Sequence, residues 1–204
     1  MDLAGSTTIR PWRSIWTEPR RTVRHLVDTD PDNSVMLLAG LNGLATALIQ
    51  AITRGAGARF PLGTILTAAA VAGPLMGIVA LQFYSVLLGW TGRLFGGAAP
   101  FRQIRTTVAW AEAPIVATLG LLIPATLVLR RALFALGAAA PVVALPLLLV
   151  TGVSGAWGLV IGTQGLAEVQ RFSGGTALLN LLLAAVLFVI AFTCLGILTI
   201  WLFR

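Results

Sequence analysis

A chain of 204 residues that is 57% hydrophobic and only 10% charged, with a mean hydropathy of +0.92, is not a water-soluble domain, since soluble chains carry about 25% charged residues. Its apolar content excludes disorder, its glycines have no triplet period, and its single cysteine rules out a disulfide scaffold. The formal charge of +7 comes from fourteen basic residues, all arginine, which punctuate apolar runs instead of forming one patch. That distribution argues against nucleic acid as a partner. The composition predicts an all-α polytopic membrane helix bundle.

In chain order, residues 1–33 read as a cytoplasmic lead and 34–204 as a five-helix transmembrane domain. The opening MDLAGSTTIRPWRSIW lacks the apolar stretch and cleavage site of a signal peptide, so no removal is expected. Thr17-Glu18-Pro19 is a helix start, with proline where no backbone donor is required. Val23, Leu26 and Val27 then share one face, and Arg20, Arg21 and Arg24 occupy the remainder. Such an amphipathic helix is expected to lie in the interface, its arginines meeting anionic headgroups, with packing on the protein's own cytoplasmic surface as the alternative. Pro31 and the acids Asp28, Asp30 and Asp32 separate it from the first span.

Five apolar runs follow, at about 35–52, 62–90, 106–129, 133–161 and 177–203, each long enough to cross roughly 30 Å of hydrocarbon as a helix. Period-two segments of a membrane barrel are missing, and no internal repeat is convincing. With five spans, nine arginines fall on the side of the N-terminus and five on the other. This predicts a cytoplasmic N-terminus and an outside C-terminus. Trp12, Trp16, Trp90 and Trp201 near the run ends fit interfacial belts. The absence of lysine beside abundant alanine, glycine and leucine suggests a GC-rich bacterial genome, hence the inner membrane. Cys194, deep in the last run, reads as a small buried thiol.

The string Gly152-Val153-Ser154-Gly155 resembles the GxSG motif of rhomboid proteases, but that chemistry needs a base beside the serine. The one histidine, His25, precedes the first span, and there is no lysine, so no catalytic residue is expected. Ser154, Gly158 and Gly162 instead form a small-residue ridge at i, i+4, i+8. Ala39, Gly43 and Ala47 make a matching ridge on the first span, and Gly73 and Gly77 a shorter one on the second; all are packing surfaces within one chain or between chains. Glu112 is the one acid inside an apolar run, where a carboxylate costs at least about 2.5–3.5 kcal/mol at mid-bilayer. It either reaches the interface, pairing with Arg102 or Arg105, or marks a polar site in the company of Asn42, Gln82, Tyr84 and Asn180. Glu168 and Gln170 flank Arg171 in a loop and are expected to be solvated. The inventory of His, Cys and acids offers no metal site, and no cofactor is expected.

Four stretches, PWRSIWTEPRRTVRHLVDTDP (11–31), AGPLMGIVALQFYSVLLGWTGRLFGG (72–97), FRQIRTTVAWAEAPIV (101–116) and AEVQRFSGGTALLN (167–180), resemble the Yip (Ypt-interacting protein) domain family in its short bacterial form. The resemblance implies a five-helix membrane bundle with a cytoplasmic N-terminus. Eukaryotic members act in transport between endoplasmic reticulum and Golgi and contact prenylated Rab-type GTPases, a partner a bacterial chain lacks. What carries over is a non-enzymatic membrane adaptor or organiser, with membrane lipids and a membrane-protein partner or a second copy as its contacts. The alternative is a small carrier or channel for a solute, ion or lipid with Glu112 in the path.

Overall fold

The computed structural model describes residues 10–136 and 141–202. It is 85% helix, with no strand among the described residues. Two lead helices, α1 (Pro11–Ser14) and α2 (Pro19–Thr29), precede the first span, α3 (Val35–Thr53). A 3₁₀ turn at Ala56–Ala58 leads into the second span, α4 (Leu62–Leu94). The third span is built of three pieces, α5 (Phe101–Ala111), α6 (Ala113–Ala117) and α7 (Leu119–Leu129). A short α8 (Arg131–Leu136) follows, then the fourth span α9 (Pro141–Gln170) and the fifth, α10 (Gly174–Leu202). All five spans are long and apolar enough to cross a membrane.

Several boundaries differ from those the hydropathy suggests: the second span runs to Leu94 rather than 90, the fourth to Gln170 rather than 161, and the fifth opens at Gly174 rather than 177. The third span opens at Phe101 rather than 106, because the polar turn FRQIR is already helical behind its Pro100 start. The fourth span opens at Pro141 rather than 133. Leu133 and Phe134 are buried in α8, which packs on the 3₁₀ turn at the end of the bundle away from the lead. Arg131 Nε donates to the Gly57 carbonyl there at 3.1 Å. Gly57 lacks a side chain for a reason: a Cβ would lie 2.8 Å from the Phe134 carbonyl carbon.

The third span breaks because of Pro114, which offers no N–H and whose ring crowds the carbonyl four residues earlier. The chain relaxes at Glu112 (φ −82°, ψ −8°). The Glu112 N–H is shared between the carbonyls of Val108 at 3.2 Å and Ala109 at 3.3 Å. A second break falls at Thr118, whose N–H (3.0 Å) and hydroxyl (2.6 Å) both donate to the Ile115 carbonyl. Pro74, by contrast, is carried inside a continuous α4.

Spans one and two cross with their backbones nearly touching. Gly43 lies against the Gly73 carbonyl, and a Cβ on it would fall 2.8 Å from the Gly77 Cα. A Cβ on Gly77 would in turn run into the Ala39 carbonyl. Small residues at a membrane crossing allow this approach and gain dispersion contact along both helices. The ridge of Ala39 and Gly43 is thus used within the chain. Spans four and five are peripheral: 6% of the most apolar window of each is buried, against 39% in the first span. The fifth is held along Ala177, Asn180, Leu181 and Ala184, one face at helical spacing. Phe188 continues this seam, meeting Tyr84 edge-on at 5.6 Å and Phe83 at 5.8 Å. Cys194, expected to be buried, is exposed on the outer face of this helix, because only the first half of α10 is covered.

Gly43→Ala should destabilise the bundle by about 1–3 kcal/mol, as overpacking does, measured by denaturant titration in micelles. Gly152→Ala, whose Cβ would meet nothing within 4 Å, should be neutral or stabilising by up to ~1 kcal/mol. The reverse order would show that the first two spans do not cross at Gly43.

Candidate functional site

The break in the third span places Glu112 at the wall of a cleft. Seven residues, about 10 Å at 1.5 Å per residue, separate it from Arg105 at the end of the bundle that carries the lead. The residue as a whole is half-buried, yet its Oε2 is buried without a hydrogen-bond partner. The Asn42 side chain on the first span lies beside the carboxyl. The cleft, about 240 Å³, runs between spans two, three, four and five, and Tyr84, Thr107, Ser154, Gly158 and Leu181 line it with Glu112. The Tyr84 hydroxyl donates to the Leu181 carbonyl at 3.1 Å.

The five polar residues singled out from the sequence therefore divide. Glu112, Asn42 and Tyr84 come together. Asn180 is fully buried elsewhere, donating to the Leu88 carbonyl at 3.3 Å and accepting from the Thr91 hydroxyl; it braces span five against span two. Gln82 is half-buried and does not line the cleft. The expected pairing of Glu112 with Arg102 or Arg105 does not form, because both arginines are taken by Asp32. Thr107 and Leu181, which no sequence pattern marked, complete the cleft.

The span-four ridge also faces inward. A Cβ on Gly158 would lie 2.8 Å from the Ala111 carbonyl, and one on Gly162 would lie 3.4 Å from the Ala111 Cβ. Ser154, half-buried, stands at the cleft. Ala47, on the first span's ridge, is half-buried against the core. These small residues bring span four against span three and keep the cleft open beside Glu112.

The lead is folded onto the same end of the bundle. Val23 and Leu26 are buried, and Gly165 on span four gives Val23 room: a Cβ there would lie 3.1 Å from Val23. Of the two placements open to α2, lipid interface or the protein's own surface, its buried residues follow the second: Val23 and Leu26 are covered by the chain itself. Arg20 is exposed; Arg21 pairs with Glu18 at 3.1 Å. Arg24 Nε donates to Glu168 at 2.6 Å, so Glu168 is an anchor rather than a solvated loop acid. Gln170, also expected in solvent, is 5% exposed and fills the space left by Gly92 and Gly97. Asp32 accepts from Arg102 (Nε, 3.1 Å) and from Arg105, while the Thr106 hydroxyl donates to the Pro31 carbonyl. Trp110, fully buried, donates to the Asn33 carbonyl at 3.3 Å and carries Trp12 on its ring at 5.0 Å.

Together these features define an integral membrane bundle of five apolar helices with an N-terminal lead clasped to one end. The chain belongs to the Yip1 domain family: the family model, described as Yip1 domain, matches residues 13–195, most of the chain. No curated protein and no solved structure matches it. The family is generally one of non-enzymatic membrane proteins that interact with other proteins.

The hydrogen bond from Arg102, with the charges of Arg102 and Arg105, lowers the Asp32 pKa from its ordinary 3.8. A carboxyl depressed in the folded state contributes stability above its unfolded value and loses it as pH falls through the folded one. Docking of the lead should therefore hold at neutral pH and weaken below about 3.8. Pepsin cleavage within α2 should rise in that range, and Asp32→Asn should be cleaved readily without that dependence. Equal cleavage of both proteins across the range would show that Asp32 does not hold the lead.

Proposed function

We propose that this chain is a non-enzymatic adaptor or organiser of the bacterial inner membrane, with its N-terminus cytoplasmic and its C-terminus outside. It binds protein or lipid partners through the outer faces of its spans and through its arginine-bearing lead. The observation that supports this most is the surface of spans four and five, which stays largely uncovered within one chain. Leu149 (66% exposed) and Val189 (61%) project from them, as surfaces a partner helix or lipid would cover. At the lead end, Arg10, Arg13 and Arg20 are exposed. Arginines near an anionic surface each contribute about 1 kcal/mol.

A photoreactive side chain at Leu149 or Val189, activated in native membranes, should give a discrete protein adduct or a cross-linked second copy. Adducts with lipid alone from both positions would remove the protein-partner half of the reading. For the lead, Arg20→Gln with Arg21→Gln should reduce quenching of Trp12 and Trp16 by anionic spin-labelled lipid, in keeping with a loss of roughly tenfold or more in local affinity. Arg24 is kept, since it holds Glu168. Quenching insensitive to both the substitutions and salt would count against headgroup contact.

A carrier reading draws on one observation, the unpartnered Glu112 Oε2 beside the cleft. It requires proteoliposome flux that Glu112→Gln abolishes.

A further inference from the structure

The Glu112 cleft has a neighbour across Ser154. A second groove, about 430 Å³, runs between spans three and four beneath Trp16 of the lead and shares Ser154 with the cleft as a lining residue. Leu121 (52% exposed), Val153 (69%) and Trp157 (43%) line that groove. On apolar spans such exposed side chains face hydrocarbon, so an occupant enters from the bilayer. Together the two spaces fall within the roughly 300–1,000 Å³ of small organic ligand sites. Their inner end is not apolar: it carries a buried carboxyl oxygen that no protein group satisfies, and a buried unsatisfied polar group is costly unless a donor reaches it.

We propose that the cleft and the groove across Ser154 act together as a binding site for a single-chain amphiphile whose small head donates a hydrogen bond to Glu112 Oε2. The apolar chain lies past Ser154 in the groove between spans three and four. Three features of the fold build the site. Pro114 breaks span three and leaves Glu112 at the cleft wall instead of in a helical stripe. Glu112 Oε2 has no hydrogen-bond partner in the chain, which makes it the oxygen for a ligand. The small residues Gly155, Gly158 and Gly162 of span four line the cleft without filling it. A hydroxyl head, as in a monoacylglycerol, and a protonated primary amine share the required chemistry. A methyl ester of the same chain has no donor and serves as the reference.

The site concerns equilibrium binding and depends on neither the adaptor nor the carrier reading. Binding without flux would leave the carrier reading to fail alone, and flux without donor selectivity would overturn the site alone.

The test uses the full chain in micelles, with Trp16 and Trp157 as reporters in the groove. Brominated-chain monoacylglycerol and the matching alkylamine should quench tryptophan fluorescence saturably. The brominated methyl ester should bind about tenfold more weakly, the equivalent of ~1.4 kcal/mol for one hydrogen bond. A tighter amine than alcohol assigns a carboxylate as acceptor, and equal binding assigns a neutral hydrogen bond; both support the site. Glu112→Leu should erase the difference between donor-headed and ester probes. Gly155→Leu, whose Cβ position meets nothing within 4 Å, should plug the cleft and abolish saturable quenching while the melting temperature is unchanged. If Glu112→Leu does not fold, the ester comparison on the unaltered chain and the Gly155 variant decide the matter. Equal affinity for the ester, selectivity that survives in Glu112→Leu, saturable quenching that survives in Gly155→Leu, or the absence of saturable quenching would each overturn the proposal.

Discussion

Within hydrocarbon no water is present to satisfy a peptide group, so every interruption of a helix has to be repaired by the chain itself. The third span shows what this constraint does. Proline removes one donor and crowds one carbonyl, and the backbone responds by sharing the Glu112 N–H between two acceptors. Six residues on, Thr118 spends both its N–H and its hydroxyl on the Ile115 carbonyl. The repair keeps the span continuous enough to cross. It also turns Glu112 out of the regular stripe and toward spans two, four and five, which is where the cleft lies.

Side-chain size governs the rest of the bundle. In lipid there is little hydrophobic gain from putting one helix beside another, so close association depends on dispersion and on residues small enough to allow it. Gly43, Gly73 and Gly77 bring spans one and two to backbone contact. Span four uses the same device with a different result, since Gly158 approaches Ala111 while Gly162 approaches Ala111 and the Leu181 side chain of span five less closely, and space is left beside them. Spans four and five therefore remain attached along one edge while most of their surface faces outward. That arrangement suits a protein whose lateral faces meet other molecules in the membrane.

Charge performs its work at one end. Asp32 binds two arginines of the third span, and Arg24 reaches Glu168 at the end of the fourth. These contacts, with Trp12 on Trp110, hold the lead over the ends of spans three and four. Arg24 and Glu168 are 144 residues apart, and no spacing rule connects positions so distant. The sequence showed a basic helix followed by acids. It did not show that the acids were anchors for arginines of the third span.

Five spans, the helix beginning at Pro19 and the anomaly of Glu112 were legible in the linear chain, because hydropathy, proline chemistry and the cost of a buried acid act locally. The start of span four and the burial of Gln170 were not, since Leu133 and Phe134 are apolar in either a span or a capping helix, and glutamine is polar wherever it lies. Asn42, Gln82, Tyr84 and Asn180 looked equivalent as isolated polar residues in apolar runs. Helix rotation alone separated the two that join Glu112 from the one that braces span five and the one that does neither. Periodicity fixes which residues share a face of one helix; which face meets which neighbour is settled only when all five helices pack at once.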